Sequence, residues 1–236
     1  SISEEAMVAE SKEDSSLHTL LRHVESPFVQ SNLTVREGLM HIIPFLTFGD
    51  PWNMKILLEH FEPYLNFERF DSEESPEHSL YLDCFSAVAT GIGTDASGQK
   101  LKDLLIEMKI TPSLIDYIST KTPSKGSGRF DSPEWEEYVT RPSLPYILKI
   151  LTGLSQHHTN TQLVVMDVIP QLHLLEQVAS TVHHIGTLAE KLLEALRENS
   201  NCDNKIQEVR KATRSEKKKK AMEMRAKELG ALGFQV

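Results

Sequence analysis

Apolar residues recur at intervals of three and four along most of the chain, and no long stretch alternates with period two. That pattern confines the fold to helices packed on helices. Leu17, Leu20, Leu21 and Val24 mark a first helix, Val35, Leu39, Ile42, Ile43 and Leu46 a second, and Ile56, Leu57, Phe61 and Leu65 a third. Between the last two, Asp50 is placed to cap and Pro51 to occupy a first helical turn, where its missing N–H costs nothing. Residues 68–78 are acidic, end in Ser75-Pro76 and read as a loop. Leu80, Leu82, Phe85, Val88 and Ala89 suit a buried helix ending at Gly91-Ile92-Gly93. Asp95 opens the next, with Leu101, Leu104, Leu105 and Met108 on one side, and Pro112 starts a shorter one through Leu114, Ile115 and Ile118. Residues 120–133, rich in Ser, Gly and Pro, read as a flexible insertion. The helical pattern resumes at Leu144, Ile147, Leu148 and Leu151 and continues through Leu163 to Ile169, Leu172 to Val178, and Leu188 to Leu196.

Three of these junctions share a pattern, Met-x-x-x-Pro-x-Leu, at Met40/Pro44/Leu46, Met108/Pro112/Leu114 and Met166/Pro170/Leu172. A proline tolerated only in a helix's first turn lets one helix end and another leave in a new direction. Repeated helix, break, helix units are what a stacked solenoid needs, since one unit cannot cover its own apolar face. The spacings of 68 and 58 residues exceed the ~40 to 47 of armadillo or HEAT repeats, so extra helices or insertions lie between. The expected architecture is all-α, an irregular armadillo/HEAT-like stack over residues 17–200, with a single helical bundle as the alternative. Residues 1–16, with five acids and little to bury, read as a disordered lead-in.

Charge divides the chain. Residues 203–228 hold ten basic side chains and five acids, a local +5, and the rest sums to −14 within the formal net charge of −9. Residues 203–229 contain no Gly or Pro and are dense in good helix formers. A long projecting basic helix over 203–230 is expected, Asp203 capping its start and Gly230 and Gly233 marking its end. Its sparse apolar positions, Ile206, Val209, Ala212, Ala221, Met222, Met224 and Leu229, imply contact with one neighbour only. Lys217 to Lys220 read either as a solvated face or as a surface for an acidic protein or calmodulin. An acidic body repels phosphate, which argues against nucleic acid as a partner.

Other chemistry is thin. No run approaches the ~18 to 20 apolar residues of a membrane span, and the first five residues are acidic where a signal peptide would be basic and then apolar. A soluble chain is expected, without membrane insertion, and the first residue, Ser1, suggests a segment of something longer. Two cysteines, Cys84 and Cys202, support neither a disulfide framework nor a thiolate-rich zinc site and point to a reducing compartment. Gly93 to Lys100 imitates a phosphate loop, but Gln99 intervenes before Lys100 and Leu101 follows it. His157-His158 and His183-His184 lack the i, i+4 spacing of helical metal pairs. Cys84 reads as a small core residue. No catalytic, cofactor-binding or metal-binding residue is expected in this segment.

Several stretches nonetheless resemble a known family. Leu144-Pro145-Tyr146-Ile147-Leu148-Lys149, Asp167 to Pro170 with His173 to Glu176, Leu188 to Arg197, and above all Cys202 to Arg214 followed by Glu216-Lys217-Lys218 and Ala221-Met222-x-Met224-Arg225 are similar to the C-terminal region of the giant UBR-box ubiquitin ligases, the calossin/BIG family. The similarity covers most of residues 80–233, and Phe234-Gln235-Val236 departs from it. It implies a piece of an N-degron-pathway ubiquitin-protein ligase lying just ahead of the zinc-containing ligase module. The family's UBR box and RING-like domain each need several Cys/His ligands, so zinc belongs to neighbouring domains and none of those site residues transfers. The implied role is an armadillo-like scaffold whose terminal helix enters the ligase module, and the basic helix on an acidic body adds the expectation that Arg210, Lys211, Arg214, Lys217, Lys218, Lys219, Lys220 and Arg225 face that module, a ubiquitin-conjugating enzyme or calmodulin. The implied location is the cytoplasm and also the nucleus, and an oligomer is allowed. A self-contained armadillo-type peptide-binding adaptor is the competing reading; its regular Asn and aromatic ladder is not visible, Trp52 and Trp135 standing alone. An enzyme with an unrecognised all-helical site is the third.

Overall fold

The computed structural model describes residues 16–47, 50–61, 67–72, 76–123, 130, 132–178 and 184–231. The chain runs through α1 (Ser16–Val24), α2 (Pro27–Gln30), α3 (Leu33–Thr47), α4 (Pro51–Phe61), α5 (Phe67–Ser72), α6 (Pro76–Gly91), α7 (Ala96–Glu107), α8 (Ile110–Lys121), α9 (Pro133–Val139), α10 (Ser143–Ser155), α11 (Thr159–Val165), a 3-10 turn (Met166–Val168), α12 (Ile169–Glu176), α13 (Ile185–Leu196) and α14 (Ser200–Ala231). No strand occurs among the described residues, and the fold is all-α and repeat-like. The expected lead-in lies outside the described residues apart from Ser16, which begins α1.

A spine of helices packed side by side runs α3, α6, α10, α13, α12, α14. At its centre, α10 is apolar on almost every side because it has neighbours on almost every side. Leu144, Ile147, Leu148, Ile150, Leu151 and Leu154 are all fully buried, each stabilising the fold by about 1.5–3 kcal/mol relative to exposure. Gly153 lets α10 come against α6, since a Cβ there would lie 2.6 Å from the carbonyl oxygen of Ala89.

Two of the three proline junctions form as expected. Met108 caps the end of α7 with Pro112 in the first turn of α8, and Met166 opens the 3-10 turn with Pro170 in the first turn of α12. Pro44 instead lies inside α3, so the first occurrence of the pattern is no junction. The expected acidic loop at 68–78 is also corrected in part, because Phe67–Ser72 is a helix. Its Phe67 and Phe70, one turn apart, are buried, and that burial outweighs the acidic composition. The core of the expected insertion, 124–129 and 131, lies outside the described residues. Thr122, which caps the end of α8, meets Tyr138 of α9 through their hydroxyls at 2.9 Å.

Buried polar groups fasten the spine at two points. The Tyr117 hydroxyl donates to Asp71 and accepts from the Ser143 hydroxyl at 2.8 Å, while the Ser143 amide donates to the other Asp71 oxygen at 3.1 Å. This ties α5 to α8 and α10. On the far side, buried Lys102 of α7 donates to the Gln156 carbonyl at 2.7 Å. Buried His158 sits 3.3 Å from the Asp103 carboxylate and caps α11 by accepting from the Thr161 amide. Glu198 accepts from the His157 amide at 2.7 Å and from Gln162 at 3.2 Å. The turn after α10 is thereby joined to α7, α11 and the α13–α14 corner.

Candidate partner-binding helix

The last helix begins at Ser200 rather than Asp203, because Asn199 supplies the cap: its side-chain oxygen accepts from the Asn201 amide at 3.0 Å. It continues through Gly230 to Ala231, so Gly230 does not end it, and Gly233 lies outside the described residues. At about 1.5 Å per residue this element is close to 50 Å long.

Among the described residues, burial is confined to its first part. Cys202 and Ile206 are buried, and Val209 is packed against the core. The Cys202 thiol donates to the Gln162 carbonyl at 3.3 Å. Arg210 pairs with Glu176 at the end of α12, whose other oxygen holds the His173 Nδ1 at 2.8 Å. Lys217 donates to the Gln177 side chain at 3.0 Å. Beyond Thr213 every side chain from Arg214 to Arg225 is exposed, including Met222 at 73% and Met224 at 63%.

The eight basic residues singled out in the sequence thus divide into three sets. Arg210 and Lys217 are engaged by the stack. Lys219 and Lys220 pair along the helix with Glu223 and Glu216, as Lys205 does with Glu208. Lys211, Arg214, Lys218 and Arg225 have no acidic partner among the described residues. Sequence reasoning missed Glu176 and Gln177, the anchors. They lie 34 and 40 residues before their partners, and no local signal marks them.

A cleft of about 480 Å³ opens between α3 and α6, lined by Met40, His41, Phe45, Leu80, Asp83, Cys84 and Ala87. Burial raises the Asp83 carboxyl above its ordinary range, against the opposing pull of Lys149 and a Tyr146 hydrogen bond. The Cys84 thiol is pushed up to about 12 by burial and by Asp83, and burial also raises Cys202. Neither thiol is activated as a nucleophile. Among the described residues no group of three or more His, Cys, Asp or Glu side chains is placed to hold a metal ion, and no helix is long and apolar enough to cross a membrane.

Against known proteins, residues 1–212 match the family model described as the E3 ubiquitin-protein ligase UBR4 TPR-like domain. That match ends where the packed part of α14 gives way to the exposed part. The chain is 41% identical over 218 residues to "Protein purity of essence" of Drosophila pseudoobscura pseudoobscura, covering 91% of this chain and 4% of that protein. It is 36% identical over 211 residues to a protein of Dictyostelium discoideum named as a probable E3 ubiquitin-protein ligase, covering 87% of this chain and 4% of that protein. It is 34% identical over 222 residues to the "Auxin transport protein BIG" of Oryza sativa subsp. japonica, covering 84% and 4%. The chain therefore spans about 4% of the length of these relatives. No solved structure matches it.

Proposed function

This chain belongs to the E3 ubiquitin-protein ligase UBR4 TPR-like domain family, and on that premise we propose that it is a non-catalytic scaffold segment of a giant ubiquitin-protein ligase of the N-degron pathway. The stack holds α14 by its packed first part and presents the remainder to a zinc-containing ligase module and the ubiquitin-conjugating enzyme it recruits. The observation that carries the reading is the division of α14, fastened to α12 through Arg210 and Glu176 yet exposed from Arg214 to Arg225. A helix with one end fixed transmits position, which is what a scaffold beside a transfer centre must do. Calmodulin is a proposed partner of the same helix, supported by its basic residues and the exposed Met222 and Met224. The cytoplasm and nucleus are the proposed locations.

The test is removal of residues 214–231 from the full-length ligase, with pull-downs against conjugating enzymes and calmodulin and an assay of ubiquitin transfer. Loss of conjugating-enzyme capture and of transfer, with the stack still folded, is expected. Undiminished capture and transfer would refute the scaffold role of α14.

A further inference from the structure

We propose that α14 carries a docking seam, made by Lys211, Arg214, Lys218 and Arg225 with Met222 at its edge, for an acidic amphipathic helix of a partner protein. This deepens the reading of α14 as a docking element and rests on it.

At 3.6 residues per turn those four cations fall within a sector about 60° wide, with Met222 at its edge. They span about 21 Å along the axis. The sector is rotated roughly a quarter turn from the stripe of Ile206, Val209, Arg210 and Lys217 that faces the stack, so a partner can lie alongside without displacing α12. The flank beyond Met222 differs. There Glu208, Glu216 and Glu223 alternate with Lys205, Lys219 and Lys220, in pairs of 3.2–4.0 Å. Those cations are partly neutralised by their own helix, whereas the seam's cations meet no acid among the described residues.

The geometry selects the partner's chemistry. Cations recurring at three- to seven-residue intervals complement carboxylates on one face of a second helix. A bilayer surface is a poorer fit, because Met222 and Met224 point about 160° apart and make no single apolar face. Nucleic acid is disfavoured by the glutamate flank and by the −14 charge of the rest of the chain.

The test measures binding of the 236-residue chain to an alanine-based helical peptide with glutamates along one face. The controls are a scrambled peptide of the same composition, a DNA duplex and phosphatidylserine vesicles. Two variants change net charge equally, K211E/K218E/R225E in the seam and K205E/K219E/K220E on the flank, with helicity followed by circular dichroism. The seam variant should lose about tenfold or more in affinity and the flank variant about twofold or less, with binding weakening as salt rises. Equal losses, equally tight binding of the scrambled peptide, tighter binding to DNA or vesicles, or no peptide binding would each overturn the proposal. Peptide binding alongside intact ubiquitin transfer by the truncated ligase would leave the seam standing and sink the scaffold role; absent peptide binding with lost transfer would do the reverse.

Discussion

Helices α10 and α14 are the same kind of element put to opposite uses. In α10 ten of thirteen positions are buried and only the stripe of Tyr146, Lys149 and Thr152 reaches solvent, with Gly153 giving up its side chain so that α6 can approach. Among the described residues of α14 burial is confined to Cys202 and Ile206, with Val209 partly covered, and from Arg214 to Arg225 every side chain is exposed, with Lys217 reaching back to Gln177. The first is held by hydrophobic contact, which is strong and makes no distinction among partners. The second persists through helix propensity and charge pairs of about 0.3–0.5 kcal/mol each, and keeps its surface available. One chain thus separates the work of staying folded from the work of being recognised.

Substitutions should reproduce that contrast. The largest effect is expected for Leu151→Ala at the centre of α10, a loss of about 3 kcal/mol in urea denaturation, whereas Met222→Ala in the exposed part of α14 should stay within about 0.5 kcal/mol. Gly153→Ala comes next, at about 2 kcal/mol, because the added methyl meets backbone rather than a movable side chain. Glu176→Ala sits at the border between the regions. It should cost about 1 kcal/mol and loosen α14 around Arg210, which backbone NMR shifts of residues 206–213 would show. Equal effects at positions 151 and 222 would erase the distinction.

The smallest effect is a pH dependence confined to the packed region. Burial lowers the His158 pKa more than Asp103 raises it, with Lys102 adding to the lowering, and burial likewise lowers His60 against the pull of Glu25. A histidine whose folded pKa lies below its unfolded value contributes in full above the unfolded pKa, near 6.5. Its contribution falls as pH drops below that value toward the folded pKa. Stability should therefore decline from pH 7 to pH 5, and His158→Asn should flatten part of that slope. An unchanged slope would show that the His158 contact is not felt in folding.

The sequence made the helices legible and their phases less so. In α3 the run from Leu39 to Leu46 is apolar around most of the helix, so spacing could not choose a face. The buried side is Arg36, Met40, Ile43 and Thr47, and Ile42 and Phe45 are exposed. Lys102 is buried where a lysine argues for solvent, because the carbonyl that receives it lies 54 residues away. The bonds from Asp71 to Tyr117 and Ser143 are equally remote in sequence. For α14, composition announced both the helix and its charge. Beyond the i, i+4 pairs of Lys219 and Lys220 with Glu223 and Glu216, it could not sort the basic residues, since which of them meet Glu176 or Gln177 depends on how the stack brings α12 alongside.

The most direct test of a helix fixed at one end is amide hydrogen exchange along α14 in the 236-residue chain. Amides around Cys202 to Arg210 should exchange as slowly as those of α10, with protection falling steeply past Thr213 and little remaining from Lys218 to Arg225. Protection as high at Arg225 as at Ile206, or none at either, would contradict the account.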